Sequence, residues 1–142
     1  MSSIGWLLAD TSRLIRKLAD RRLGPLGLTR AQWQALGALK RLGPITQAAL
    51  AEYMEVETAT IARLTDRLEA SGWIERKPDP NDRRVKLVSM TAKANAIMDE
   101  VGVVGQKLRD DMLSDLSEQE RGQLVHALMT MKTRLIRLLE TS

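Results

Sequence analysis

Apolar residues fall into helical spacing at both ends of the chain and switch to strand-like alternation only in the middle. Ile4, Leu7, Thr11, Leu14 and Leu18 recur three and four residues apart, a heptad-like seam that Leu8, Ile15 and Leu23 widen. Asp10, Arg13, Lys17, Asp20 and Arg21 take the opposite face. This predicts an amphipathic helix over residues 4–23, stopped by Gly24-Pro25. Thr29-Arg30-Ala31-Gln32 has the form of a capping box and opens a second helix to about Leu42, with Trp33, Leu36 and Leu39 among its apolar positions. Gly43-Pro44 ends it, and two shorter helices follow, from about Thr46 to Tyr53 and from about Glu57 to Ser71. Only Met54-Glu55-Val56 separates them. After Gly72, Trp73-Ile74-Glu75-Arg76 and Arg84-Val85-Lys86-Leu87-Val88 read as two strands around a turn-rich segment, Lys77 to Arg83. Thr91 caps a fifth helix to about Leu113, with Ile97, Val101, Val104 and Leu108 along one stripe. Ser117-Glu118-Gln119-Glu120 is a second capping box. It opens a last helix to about Leu139, whose Leu124, Leu128, Met131, Leu135 and Leu138 again alternate four and three apart.

Composition narrows the chemistry. In 142 residues there are three Trp, one Tyr and no Phe, so the core is built from aliphatic residues and Met, which favours helix. The absence of Cys excludes disulfides, thiolate metal sites and cysteine nucleophiles. A single histidine, His126, leaves too few ligands for a transition-metal site, and no cofactor is expected. Seven Met read as core filler rather than oxidant sensors. No apolar run approaches the roughly 20 residues that span a bilayer, and no signal-peptide pattern opens the chain. A cytoplasmic protein without membrane contact is expected.

Net charge is +4, but unevenly spread. Residues 1–42 carry eight basic and two acidic residues, while residues 43–90 and 91–142 each carry seven and eight. Any residue of the middle that meets an anionic partner must therefore act by placement rather than bulk charge.

Helix-turn-helix followed at once by a hairpin is a DNA-reading arrangement, because a helix of this length enters the major groove by its N-terminal turns. If Ile61, Leu64 and Leu68 face the core, then Thr58, Thr60, Ala62, Arg63 and Arg67 face solvent or DNA. The threonines suit a phosphate or base edge, Ala62 a thymine methyl, and Arg63 a bidentate contact to guanine. The competing reading makes Arg63 and Arg67 ordinary solvated arginines. It is disfavoured for Arg63 and evenly balanced for Arg67. At the hairpin tip, Arg83 and Arg84 stand near prolines that stiffen the loop, as an arginine entering a narrow minor groove requires. Asp79 and Asp82 partly neutralise this tip.

The order of elements resembles the MarR family across essentially the whole chain. The run Thr65-Asp66-Arg67-Leu68-Glu69, then Gly72-Trp73-Ile74-Glu75-Arg76, Asp79-Pro80-Asn81-Asp82-Arg83-Arg84 and Leu87-Val88-Ser89-Met90-Thr91 carries the likeness. Leu28-Thr29-Arg30-Ala31-Gln32-Trp33 resembles the SlyA-type branch. The resemblance implies a mainly α fold with a small β-hairpin: a winged helix-turn-helix on a helical dimerisation domain. It divides the chain into a dimerisation region (1–28 and 114–142), a DNA-binding domain (29–90) and a connecting helix (91–113). It further implies a homodimer on double-stranded DNA at a pseudo-palindromic operator, acting as a repressor. Arg63 is then the recognition-helix arginine and Arg83 the minor-groove arginine. Asp66 and Arg84 would pair to hold wing against helix, making Arg84 a scaffold rather than a reader. Met90 stands where the pattern has Leu, a volume-conserving change. Glu55 and Glu57 are unfavourable near phosphates, although Glu57 suits a helix N-terminus.

The resemblance also implies a small aromatic carboxylate as effector, often bound by members of the family, and Trp33 with Arg13 or Arg16 would line such a pocket. The simpler reading, preferred, has Trp33 in the core and both arginines on the surface. Nothing resembles an enzyme: there is no nucleophile–base pairing, phosphate-cradling glycine loop or metal motif. The alternative is a winged-helix protein-interaction module without operator binding, supported by the weakly acidic centre of the chain.

Overall fold

The structure, a computed structural model, describes residues 3–142, so residues 1 and 2 of the expected dimerisation region lie outside the described residues. The chain divides into two compact units, Met1–Gly105 and Gln106–Ser142.

In the first unit, α1 (Ile4–Leu23) ends with Ala19 and Leu23 buried, while Ile4, Leu7 and Leu14 stay exposed. A 3-10 turn (Gly24–Leu26) follows, and Gly27 takes a left-handed backbone at φ +81°. The capping box of α2 (Arg30–Leu42) is complete: Thr29 Oγ1 accepts the Gln32 N–H at 3.2 Å, and Gln32 Oε1 accepts the Thr29 N–H at 3.0 Å. Two further helices, α3 (Gln47–Met54) and α4 (Thr58–Ala70), form the helix-turn-helix. The hairpin strands are β2 (Ile74–Pro78) and β3 (Lys86–Met90), and Thr91 Oγ1 accepts the Ala94 N–H as α5 (Ala92–Met112) begins. The strands start later than the alternation suggested, because the ladder pairs Ile74 with Met90 and Pro78 with Lys86, leaving Arg84 and Val85 in the tip.

One element escapes the sequence pattern. Ile45–Thr46, counted as β1, pairs antiparallel with Leu87 and Val88 of β3, completing a sheet of order β1-β3-β2. Two residues cannot show a period of two. The same Thr46 then caps α3, its Oγ1 accepting the Ala49 N–H at 3.0 Å. The N-terminus of α3 is thereby tied to the wing. Leu36, Leu50, Ile61, Leu68, Ile74 and Val88 form the fully buried centre, with Ala94 and Met98 of α5 in the same cluster.

The second unit holds the end of α5, with Leu108 buried, and α6 (Glu118–Glu140). Ser117 and Glu120 form the second complete capping box. No residue of α6 is buried. Among the described residues, no helix is long and apolar enough to cross a membrane.

Candidate nucleic-acid interface

The helix-turn-helix is closed by a turn without glycine. Glu55 takes the left-handed conformation at φ +55°, and the Val56 N–H reaches back to Ala51 O at 3.0 Å. Val56 itself packs against the core, so the two helices are fixed by a backbone closure and an apolar contact together. Glu57 is the N-cap residue of α4, but its side chain makes no capping bond.

Periodicity then sorts the faces of α4. Ile61, Leu64, Thr65 and Leu68 are buried, whereas Thr58, Thr60, Arg63 and Arg67 are exposed and Ala62 is half-buried. Thr65 is a polar residue in the apolar stripe, and its hydroxyl is satisfied internally. Its Oγ1 lies 2.8 Å from Ile61 O, 3.1 Å from Ala62 O and 3.0 Å from Gln47 Oε1.

Arg76 of β2 is the hub between wing and α4. Its Nη2 donates to Asp66 Oδ1 at 2.7 Å and to Glu69 Oε1 at 3.0 Å, while Nη1 donates to Gln47 Oε1 at 3.2 Å. Asp66 and Glu69 stand three apart on one face of α4, so one guanidinium spans both. Hydrogen bonds from Arg76 hold the Glu69 carboxyl below its ordinary value, and the two carboxylates raise Arg76. The pairing expected between Asp66 and Arg84 is therefore corrected. Arg84 lies outside the ladder, 91% exposed, and Asp82 two residues away takes it, through Nε at 3.2 Å and the backbone N–H at 3.1 Å. Those bonds hold the Asp82 carboxyl low. Arg84 braces the tip locally and does not hold the wing against α4.

Among the described residues, the side chains of Arg63, Arg67 and Arg83 have no hydrogen-bond or ion-pair partner. An open cleft of about 520 Å³ separates the wing from the helix pair. Arg76, Arg84, Lys86 and Glu69 line it, three cations to one carboxylate. Sequence reasoning missed Arg76, Gln47 and Thr65. Two signals were available: a polar residue inside the apolar stripe, and two acids on a helix meant to approach phosphates, which demand a cation nearby.

Arg13, Arg16 and Trp33 are given separate partners. Arg13 lies 3.8 Å from Asp10, and Arg16 donates to Ser12 Oγ at 2.6 Å. Trp33 packs against the core and donates its indole N–H to Asp20 Oδ1 at 3.2 Å. Arg30 holds the other oxygen of Asp20 and is the main reason its carboxyl sits low.

The arrangement has relatives. Residues 28–86 match the model of the MarR family. The chain is 35% identical over 117 residues to YwoH of Bacillus subtilis strain 168, an HTH-type transcriptional regulator itself uncharacterized. That match covers 82% of this chain and 85% of the relative. The crystal structure of transcriptional regulator PA3341 superposes with a TM-score of 0.85 at 36% identity, covering 95% of this chain and 99% of that one. A mutant MarR from E. coli complexed with operator DNA superposes at 0.75 with 31% identity, covering 90% and 92%. On the winged helix-turn-helix and on these likenesses together, the chain belongs to the MarR family, whose members are transcriptional regulators rather than enzymes.

Proposed function

We propose that this regulator acts as a cytoplasmic homodimer that binds a pseudo-palindromic operator and represses by covering a promoter. The observation that carries the reading is the division of charge on the two projecting elements. The acids of α4 are drawn to Arg76, whereas Arg63 and Arg83 project unpartnered from helix and wing. Arg63, with Thr58, Thr60, Ala62 and Arg67, reads base edges and phosphates in the major groove. Arg83 enters the minor groove, where a narrow A·T-rich tract deepens the negative potential, and Arg84 lends the tip its second cation. The operator complex of the E. coli relative supports this use of the fold. Exposed Ile4, Leu7 and Leu14 of α1 and Leu124, Leu128, Leu135 and Leu138 of α6 support a dimerisation region over residues 1–28 and 114–142, with 29–90 reading DNA and 91–113 connecting. The SlyA-type character of Leu28 to Trp33 belongs to the same reading.

Selection of bound duplexes from a random pool at moderate salt tests it. An inverted repeat with half-sites about one helical turn apart is expected, and Arg83→Ala should weaken it. Binding without sequence preference, indifferent to Arg83→Ala, would favour a protein-interaction module instead. A small aromatic carboxylate effector would have to draw Trp33 from Asp20 and Arg16 from Ser12. Titration with benzoate should then change Trp33 fluorescence and release the duplex together.

A further inference from the structure

The recognition helix ends in a joint that none of the DNA-facing residues uses. Gly72 leaves α4 with a left-handed backbone at φ +79°. Its N–H donates to Glu69 O at 3.0 Å, and the Trp73 N–H donates to Leu68 O at 2.9 Å. This double closure satisfies carbonyls inside the helix but leaves those of Ser71, Gly72 and Trp73 in need of donors.

Two residues at the start of α5 supply all three. Lys93 Nζ donates to Ser71 O at 2.7 Å, Thr91 Oγ1 to Gly72 O at 2.6 Å, and the Thr91 N–H to Trp73 O at 3.1 Å. The Lys93 ammonium also stands 4.2 Å from the centre of the Trp73 ring. Gly72 lies beneath the lysine stem, where a Cβ would meet Lys93 Cδ at 3.7 Å. A cation at this place also faces the negative end of the α4 dipole.

A helix gripped at its C-terminal end has its tilt set there, and the opposite end of α4 is the one that reads bases in the proposed function. The geometry points to Lys93 as a positioning residue for operator recognition, one that sets the tilt of α4 without touching DNA. The inference rests on that proposed function. Arginine reproduces both the donated hydrogen bond and the cation over the ring, and methionine, with a similar stem, neither.

Lys93→Met and Lys93→Arg are compared with wild type on the duplex that wild type enriches from the random pool, and on an unrelated duplex. Lys93→Met should lose about 5- to 10-fold on the enriched duplex, a part of what one charge-assisted hydrogen bond and a cation–ring contact are worth, because the Thr91 bonds and the backbone closure still hold the joint. It should bind the unrelated duplex as wild type does. Its slope of log affinity against log salt should also be unchanged, and Lys93→Arg should stay within about 2-fold of wild type. Equal loss on both duplexes, with the salt slope reduced by about one, would make Lys93 a phosphate contact and overturn the proposal. So would wild-type affinity in Lys93→Met. If wild type itself prefers no duplex, the proposed function fails, and amide exchange still tests the joint: the Gly72 and Trp73 amides must exchange faster in Lys93→Met, and unchanged rates sink it.

Discussion

Two helices of this protein begin alike and end in opposite circumstances. Both α2 and α6 open on a complete capping box, Thr29 with Gln32 and Ser117 with Glu120, and both repeat Leu at helical spacing. Yet Ala35, Leu36, Ala38 and Leu39 of α2 are buried, while α6 buries nothing along its 23 residues. A cap and a periodic stripe are local facts that start a helix and choose its apolar face. Whether that face is covered depends on what lies opposite, and for α2 the covering is supplied by α3, α4 and the sheet. Isolated helices gain little in water, so α6 needs another apolar surface to hold it.

The comparison can be broken from either side. The largest effect is expected from Leu135→Asp, which puts a carboxylate into the exposed stripe of α6. The proposed dimer should sediment as a monomer, and operator affinity should fall by about two to four orders of magnitude as the second half-site contact is lost. A dimer that persists would sink the assigned interface. Leu36→Ala in α2 attacks stability instead. Leu36 is fully buried, and its truncation should cost about 2–5 kcal/mol in denaturant unfolding. Leu135→Ala, at an exposed site, should leave the unfolding of a dilute protomer nearly unchanged.

Arg76→Ala tests the tie between wing and α4. With Asp66 and Glu69 both well exposed, about 1 kcal/mol is expected. The sign of its pH dependence follows from Glu69. Its folded-state carboxyl is depressed by Arg76, so the stabilisation is complete above the ordinary value of about 4.3 and is lost as pH falls through the lowered value. The variant should therefore lose less stability on acidification than wild type, measured by urea midpoints across this range. Glu55→Gly should act least and in the opposite direction. Relief of the left-handed strain, offset by chain entropy, should raise stability by about 0.5 kcal/mol.

Much of this was readable from the chain because much of it is local. The bounds of α1, both capping boxes and the buried stripe of α4 follow from neighbours three or four residues apart. What was not legible depends on partners distant in sequence. The two-residue β1 exists only because β3 lies alongside it, with Thr46 paired to Leu87 41 positions further along the chain. The first hairpin strand begins one residue late and the second two, because pairing, not alternation, defines their ends. Asp66 was matched with an arginine of the tip, whereas the strand arginine, ten residues on, has the register and the half-buried setting to reach it. Opposite charges in a sequence say that pairs will form, but only the fold selects them.

The wing tip is already closed upon itself. The Asp79 N–H donates to Val85 O at 2.7 Å, the Asn81 N–H to Asp79 Oδ1 at 2.8 Å, and the Val85 N–H to Asp82 O at 3.0 Å. Pro78 and Pro80 restrict the chain between them. A loop so bonded has little freedom left to surrender on meeting a partner, so its engagement resembles docking rather than folding. In a calorimeter, the wing should add little to the negative heat-capacity change that marks coupled folding. Loosening it, as with Pro80→Gly, should make binding more costly in entropy while leaving each arginine in place.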